Sequence, residues 1–406
     1  MQTYRITRTY TSLALSLLLC IGTLSFAQGK DEAAGINLEL LQEAGYRIDW
    51  VNQSTLHGLH LPTISSGSFY TVDNSDFISK YDLNSGEWLW STPVGNQTYK
   101  IKSITELPTL KRTFVLCEGG VFVIESITGN YPSNSDSDNR NNAQFFPLAT
   151  TANTPAVSYQ DTLIYGTTSG YATWFDPSIG FTSSTYEVGS TISVRPTVAQ
   201  GVRSTEGLMR HAVVTSSNDG TVVAADAKNV RQIWTIQLLD SVNAPVSFGT
   251  NSQTVNNEEL PRSSVFIAGA DHYLRSVDLH TGRPRWKILT PSALEDSPFV
   301  HGNALFQRVP SVGLTSFQAF PNHFSGKQNW VAEEVTGTPI TTTRNGKLVC
   351  WDTNQRKIQI VEPRKGGIIA TLPIPTAKNV ITDSSTNGSL FIITDSDMIL
   401  KLGPRR

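Results

Sequence analysis

The sequence predicts an all-β protein: an eight-bladed β-propeller of four-stranded antiparallel blades, closed by pairing of an N-terminal strand with the C-terminal blade, and preceded by a short helix. Three observations lead there. Short strand-like runs punctuated by Gly, Asn, Asp and Ser continue from Tyr46 to the C-terminus, with no long helical period among them. A unit with an aspartate before a turn and a tryptophan after it recurs as YDLNSGEWLW around Asp82, WFDPSIG around Asp176, AADAKNVRQIW around Asp226 and SVDLHTGRPRW around Asp278. The spacing is roughly 50 residues or twice that, a period typical of propeller blades. Finally, a residue followed by proline opens unit after unit, at Pro155, Pro196, Pro245, Pro298 and Pro339. Proline cannot donate to a sheet ladder, so it marks a strand's first residue or an edge.

Residues 1–27 read as a signal peptide. Arg5 and Arg8 give a positive start, Leu13 to Leu24 an apolar stretch too short to span a bilayer, and Ser25-Phe26-Ala27 a small-residue cleavage site, so the mature chain is expected to begin at Gln28. Cys20 follows Leu19 rather than a small residue, so simple export is preferred to lipidation. Residues 28–45 form a helical segment, with Ile36, Leu38, Leu40, Leu41 and Ala44 on a 3.6-residue period, expected to pack outside the main body. The propeller then occupies 46–406.

The clearest unit is Ser264 to Trp286. Val265 to Ala270 make an apolar strand, Asp271-His272 a tight turn, and Leu274, Ser276 and Asp278 a second strand; Gly282 supplies a positive φ before a third strand carrying Trp286. VIESITGNY around Ser126 fills the gap between Asp82 and Asp176, and degraded copies near Pro321, Glu362 and Gly403 complete eight units. A four-stranded unit cannot bury both of its faces alone, and radial repetition buries each against a neighbour. The last unit lacks a fourth strand after Leu402, whereas Tyr46 to Trp50 is an orphan strand with a fourth-strand tryptophan. Trp50 therefore completes the last blade.

Asp82, Asp226 and Asp278 are expected to accept backbone N–H bonds at tight turns, and Trp88, Trp234 and Trp286 to fill space between blades. Cys117 and Cys350 each lie in an apolar run, FVLC and KLVC, and read as buried unpaired thiols rather than a bridge. There is no CxxC pair and therefore no zinc-ribbon or thioredoxin signature. A net charge of -2, from 32 Lys and Arg against 34 Asp and Glu, gives no broad phosphate-binding surface and excludes a nucleic-acid binder of the usual kind. Asp136-Ser137-Asp138-Asn139 resembles the start of a calcium loop, but Pro147 stands where the bidentate glutamate belongs, so a polar loop is expected. His57 and His60 are spaced so that a strand or loop does not put both imidazoles on one face. No G-x-S-x-G elbow occurs.

The pattern Asp, x, x, x, Gly, x, x, x, Trp, best seen in SVDLHTGRPRW, resembles the quinoprotein-type (PQQ-like) propeller repeat over Tyr46 to Arg406. That resemblance implies one of two branches: quinone-dependent alcohol dehydrogenases, or the non-enzymatic eight-bladed periplasmic propellers typified by the outer-membrane assembly factor BamB. The enzyme branch is implied to carry an adjacent Cys-Cys pair over the quinone, a tryptophan beneath it, a Ca²⁺ held by Glu and Asn, and an aspartate base. This chain has no Cys-Cys, so no catalytic, cofactor-binding or metal-ligating residue is assigned and no cofactor is expected.

Polar insertions at Glu106 to Arg112, Tyr131 to Gln144, Arg203 to Arg210 and Asn251 to Arg262 fall in connections that emerge on one face of a propeller, and they raise one side of it as a wall. The expected protein is an exported, non-catalytic, monomeric propeller without a transmembrane span, binding a protein partner in the cell envelope. The BamB-like role is its most specific form. A quinone-dependent dehydrogenase and a carbohydrate-binding envelope protein are the alternatives.

Overall fold

A computed structural model describes residues 35–94, 99–132, 145–203, 209–255, 258–321 and 326–405. The expected signal peptide, the calcium-like run at Asp136 and the start of the helical pattern lie outside them. Strands β1 to β32 form eight four-stranded antiparallel sheets. Blades 1 to 7 are contiguous in sequence, over residues 60–93, 101–147, 157–187, 197–237, 247–289, 299–332 and 338–373. Blade 8 combines β30 (Ala377–Thr382), β31 (Leu390–Thr394) and β32 (Met398–Pro404) with β1 (Tyr46–Gln53), in the order β1-β32-β31-β30. The ring closes as expected: β1 runs antiparallel to β32 (Met398–Pro404), with Tyr46 opposite Pro404 and Trp50 opposite Lys401. Each sheet is called a to d from the axis outward, and the innermost strands touch between blades 1 and 2, 3 and 4, 5 and 6, 7 and 8, and 8 and 1.

Among the described residues of the helical segment, α1 (Leu38–Glu43) is helical, capped by Asn37, whose side chain accepts from the N–H groups of Glu39 and Leu40. Ile36, Leu41 and Ala44 bury against Leu372, Ile374 and Leu402 on the outside of blades 7 and 8.

The repeat motif is a device for joining one blade to the next. In blade 5 the Asp278 carboxylate accepts from the N–H groups of His280 and Thr281, 2.9 Å each, and Gly282 takes φ +69°. Trp234, on strand d of blade 4, lies against that glycine: a Cβ there would stand 2.7 Å from the indole Cγ. The Trp234 Nε1–H donates to the Leu279 carbonyl at 2.8 Å. Trp50 to Leu83, Trp90 to Ser126, Trp286 to Ala319 and Trp330 to Pro363 repeat the bond across four other seams. Glycine is therefore needed twice, for its backbone and for its missing side chain. A β-bulge on strands c and d sits beside the tryptophan, as at Ser276/Val277 in blade 5, and aims the ring sideways at the next blade.

Blade 3 tests the arrangement. Its strand d has Ser184 where blades 1, 4, 5, 6 and 8 have tryptophan, and the indole comes from the cross-strand neighbour Trp174, which donates to the Ala227 carbonyl at 2.9 Å. The turn residue it would otherwise crowd is Val230, not glycine, at φ +62°. Where the ring moves away, a side chain fits.

Two seams carry buried lysines as well. Lys80, opposite Trp90, donates to the same Ser126 carbonyl at 2.9 Å and pairs with Glu106 at 3.0 Å; the Tyr70 hydroxyl donates to the other Glu106 oxygen at 2.5 Å. Burial beside Glu106 pushes the Tyr70 phenol well above its usual range. Lys401, opposite Trp50, likewise donates to Leu83 at 3.0 Å.

Candidate functional site

Sequence reasoning points to the turn aspartates, the tryptophans, two histidines, two cysteines and four insertions, and the structure places each. Asp82 and Asp226 accept backbone N–H bonds at their turns as Asp278 does, and so does Asp352 in blade 7. All are architectural. Trp234 and Trp286 fill seams between blades, but Trp88 does not: it is 55% exposed, and Trp90 occupies the seam at 5%. Cys117 and Cys350 are buried free thiols, 0% exposed, on strands b of blades 2 and 7. Burial pushes the Cys117 thiol up to about 12, which removes it from thiolate chemistry. His60 Nδ1 lies 3.1 Å from the Gly58 carbonyl, whereas His57 is exposed, 3.9 Å from Asp397, so the two imidazoles face different partners.

In every blade the a–b and c–d turns emerge at one end of the sheet and the b–c turn at the other. The first insertion is not one. Glu106 and Leu107 belong to β6 (Ile101–Leu107) and Arg112 to β7 (Arg112–Cys117), which leaves a tight turn at 108–111. The other three stand on the a–b/c–d face. Blade 2 carries a long connection between β8 (Gly120–Glu125) and β9 (Phe145–Pro147), whereas in blade 4 the ends of the expected insertion pair as strand, β14 (Thr197–Arg203) with β15 (Met209–Ser216), and leave a short link at 204–208. Blade 5 carries a ribbon rather than a loop: β18 (Ser247–Val255) and β19 (Glu258–Ala268) pair from Ser247/Phe266 to Val255/Glu258. Strand β20 (Tyr273–Asp278) pairs with β19 only from Ser264 onward. The ribbon thus runs about 20 Å beyond its own sheet at the usual strand rise.

Along the axis, the innermost strands of blades 1 to 4 and 8 enclose about 590 Å³. Its wall is aliphatic and hydroxylic, as at Ile64, Ile104, Val157 and Thr197, and two cations reach it, Lys102 and Arg195. Lys102 is paired with Glu118 at 3.0 Å.

A model of the family described as outer membrane protein assembly factor BamB, a PQQ-like repeat family, matches residues 42–259. The chain belongs to that PQQ-like β-propeller family. No curated protein matches it by sequence. Among solved structures it is similar to BamB from Moraxella catarrhalis, at 15% identity and TM-score 0.62, covering 88% of this chain and 97% of that one. It is also similar to the quinohemoprotein alcohol dehydrogenase of Comamonas testosteroni, at 11% identity and TM-score 0.59, covering 90% of this chain and 78% of that one. The computationally designed Ika8 protein shares the fold as well, at 13% identity and TM-score 0.59, over 87% of this chain and 98% of that one. At these identities the likeness is one of fold.

The quinone of the enzyme branch can be tested on this PQQ-like propeller's own residues. Neither cysteine is among the residues lining the axial cavity: Cys117 packs in the apolar seam between blades 1 and 2 and Cys350 in that between blades 6 and 7. No Asp, Glu or Asn is among the described residues that line this cavity to hold a divalent cation or take a proton, and no cluster of three or more His, Cys, Asp or Glu with metal-binding geometry occurs among the described residues. The residues present do not fit the group. No helix among the described residues is long and apolar enough to cross a membrane.

Proposed function

We propose that this chain is an exported, non-catalytic PQQ-like propeller that binds a protein partner in the cell envelope, with a part in outer-membrane protein assembly as its most specific form. The observation that carries this reading is the β18–β19 ribbon. A propeller blade is complete with short turns, yet blade 5 continues its inner hairpin about 20 Å past the sheet, on the face where blade 2 also carries a long connection. Loops and ribbons set on a rigid ring are where recognition by scaffolds resides. Likeness in fold to BamB supports the envelope setting. The dehydrogenase reading draws on the same fold but has no thiol pair, ion ligand or base at the axis.

The test replaces 133–143 and 252–261 with short Gly-Asn turns. Tyr131 and Arg262 stay, because the Tyr131 hydroxyl donates to the Pro93 carbonyl at 2.7 Å and Arg262 Nη1 to the Pro321 carbonyl at 3.0 Å. The double replacement should leave the melting temperature nearly unchanged and abolish recovery of the partner from envelope extracts. Recovery equal to that of the parent moves the binding surface elsewhere. Dye-linked alcohol oxidation by the purified parent would restore the enzyme reading.

A further inference from the structure

The seam between blades 6 and 7 opens into a groove of about 1160 Å³ on the same face as the ribbon. Its cations come from three turns: Lys327 from the c–d turn of blade 6, Lys347 from the a–b turn of blade 7, and Arg364 with Lys365 from the c–d turn of blade 7. They face a single carboxylate in the groove, Glu362, and Lys347 is paired with it. That pairing lowers the Glu362 carboxyl below its ordinary range, so it stays ionised and spends one of the four positive charges. Lys327 and Lys365 are exposed, with no carboxylate in ion-pairing reach among the described residues. Asn303, Asn329 and Asn345 add carboxamides, each both a donor and an acceptor.

We infer that this groove docks an extended acidic segment of a polypeptide, an inference that rests on the protein-binding reading above. Four features select that occupant. The groove exceeds the roughly 300–1,000 Å³ of small-molecule pockets, and its lining is more polar than theirs. Carboxamides along its walls match the alternating N–H and C=O groups of an extended backbone, while the lysines match acidic side chains. A sugar would want a free aromatic face, but the groove's one indole, Trp330, is committed: its Nε1–H donates to Pro363 at 3.0 Å and its ring lies on Gly366, where a Cβ would stand 2.7 Å away. A planar lipid surface does not enter a cleft between two blades.

The probe is a short fluorescent poly-glutamate peptide titrated against the mature protein at low and at raised salt. Parent binding should weaken with salt. The double variant Lys327→Glu with Lys365→Glu should weaken it roughly tenfold or more, given that several exposed charge pairs are lost and repulsion replaces them. A control, Lys228→Glu with Arg231→Glu, makes the same charge change on the c–d turn of blade 4, on the same face, and should have little effect. Equal weakening by both variants means diffuse attraction and overturns the groove. Polygalacturonate binding the parent as tightly, with the same dependence on Lys327 and Lys365, overturns the peptide in favour of an anionic glycan. If the parent and the groove variant recover the same partner equally from envelope extracts, the groove inference fails while the protein-binding reading stands. A parent that recovers no protein overturns that reading and the inference built on it.

Discussion

Trp88 and Trp90 sit two residues apart on strand β5 (Trp88–Pro93) and have opposite roles. Residues two apart share one face of a regular strand, but the β-bulge opposite Lys80/Tyr81, with Leu89 as the extra residue, breaks that alternation: Trp88 is left outside and Trp90 enters the seam, where its indole meets the Ser126 carbonyl and lies over Gly129. Replacing Trp90 by alanine removes a buried ring and one of the two donors to the Ser126 carbonyl, the other being Lys80, and should destabilise the protein by about 3 to 5 kcal/mol. Trp88→Ala should change stability by no more than about 0.5 kcal/mol. Urea denaturation of the two variants compares them directly, and equal losses would contradict the assignment. The distinction was legible in the sequence: the step from Asp278 to Trp286 is repeated from Asp226 to Trp234, and the same step from Asp82 lands on Trp90. Reading the first tryptophan after the turn instead of the fixed step chose the wrong one. Lys80 was not legible, because its charge becomes tolerable only through Glu106 on the next blade, far away in sequence.

At the scale of one element, the Asp-to-Gly turn separates two demands on glycine. Gly67 has φ +78° and nothing within 4 Å of a would-be Cβ, whereas Gly282 has φ +69° and the Trp234 ring in the way. Gly67→Ala should therefore cost about 1 to 2 kcal/mol for the left-handed backbone. Gly282→Ala should cost that and a further 1 to 3 kcal/mol or so for displacing the ring. Similar melting temperatures for the two would mean that Trp234 can move aside and that the contact is not a constraint. Val230 already supports the logic from within the chain, since its positive φ is tolerated where no tryptophan overlies the turn. The repeat pattern thus gave blade number, turn positions and most seam residues. It could not give the ribbon of blade 5, because polar residues from Asn251 to Arg262 read as a loop when their cross-strand partners are only each other. The groove between blades 6 and 7 was hidden for a related reason: KQNW, RNGKL and EPRKG are unremarkable separately, and only the seam brings their cations together.

For the whole molecule, the ring is a circle of seams, and one of them depends on residues more than 300 positions apart in sequence. Trp50 belongs by hydrogen bonding to blade 8, opposite Lys401, yet its indole donates to Leu83 and lies on Gly86 in blade 1, and its ring meets Phe391 edge-on at 6.0 Å. β1 is thus both the outer strand of one blade and the plug between two. Deleting residues 28–53 removes that plug, uncovers the ladder of β32 as an exposed edge, and leaves Lys401 and Tyr46's neighbours in blade 8 facing water. Loss of the tryptophan alone is worth about 3 to 5 kcal/mol, and at a few degrees per kcal/mol the melting temperature should fall by on the order of 10 °C, with aggregation at the new edge. Trp50→Ala in the intact chain should account for much of the fall without the aggregation, because β1 still pairs with β32. A truncated protein that melts with the parent and stays monomeric would mean that three strands suffice for blade 8 and that the seam to blade 1 is held by its inner strands alone.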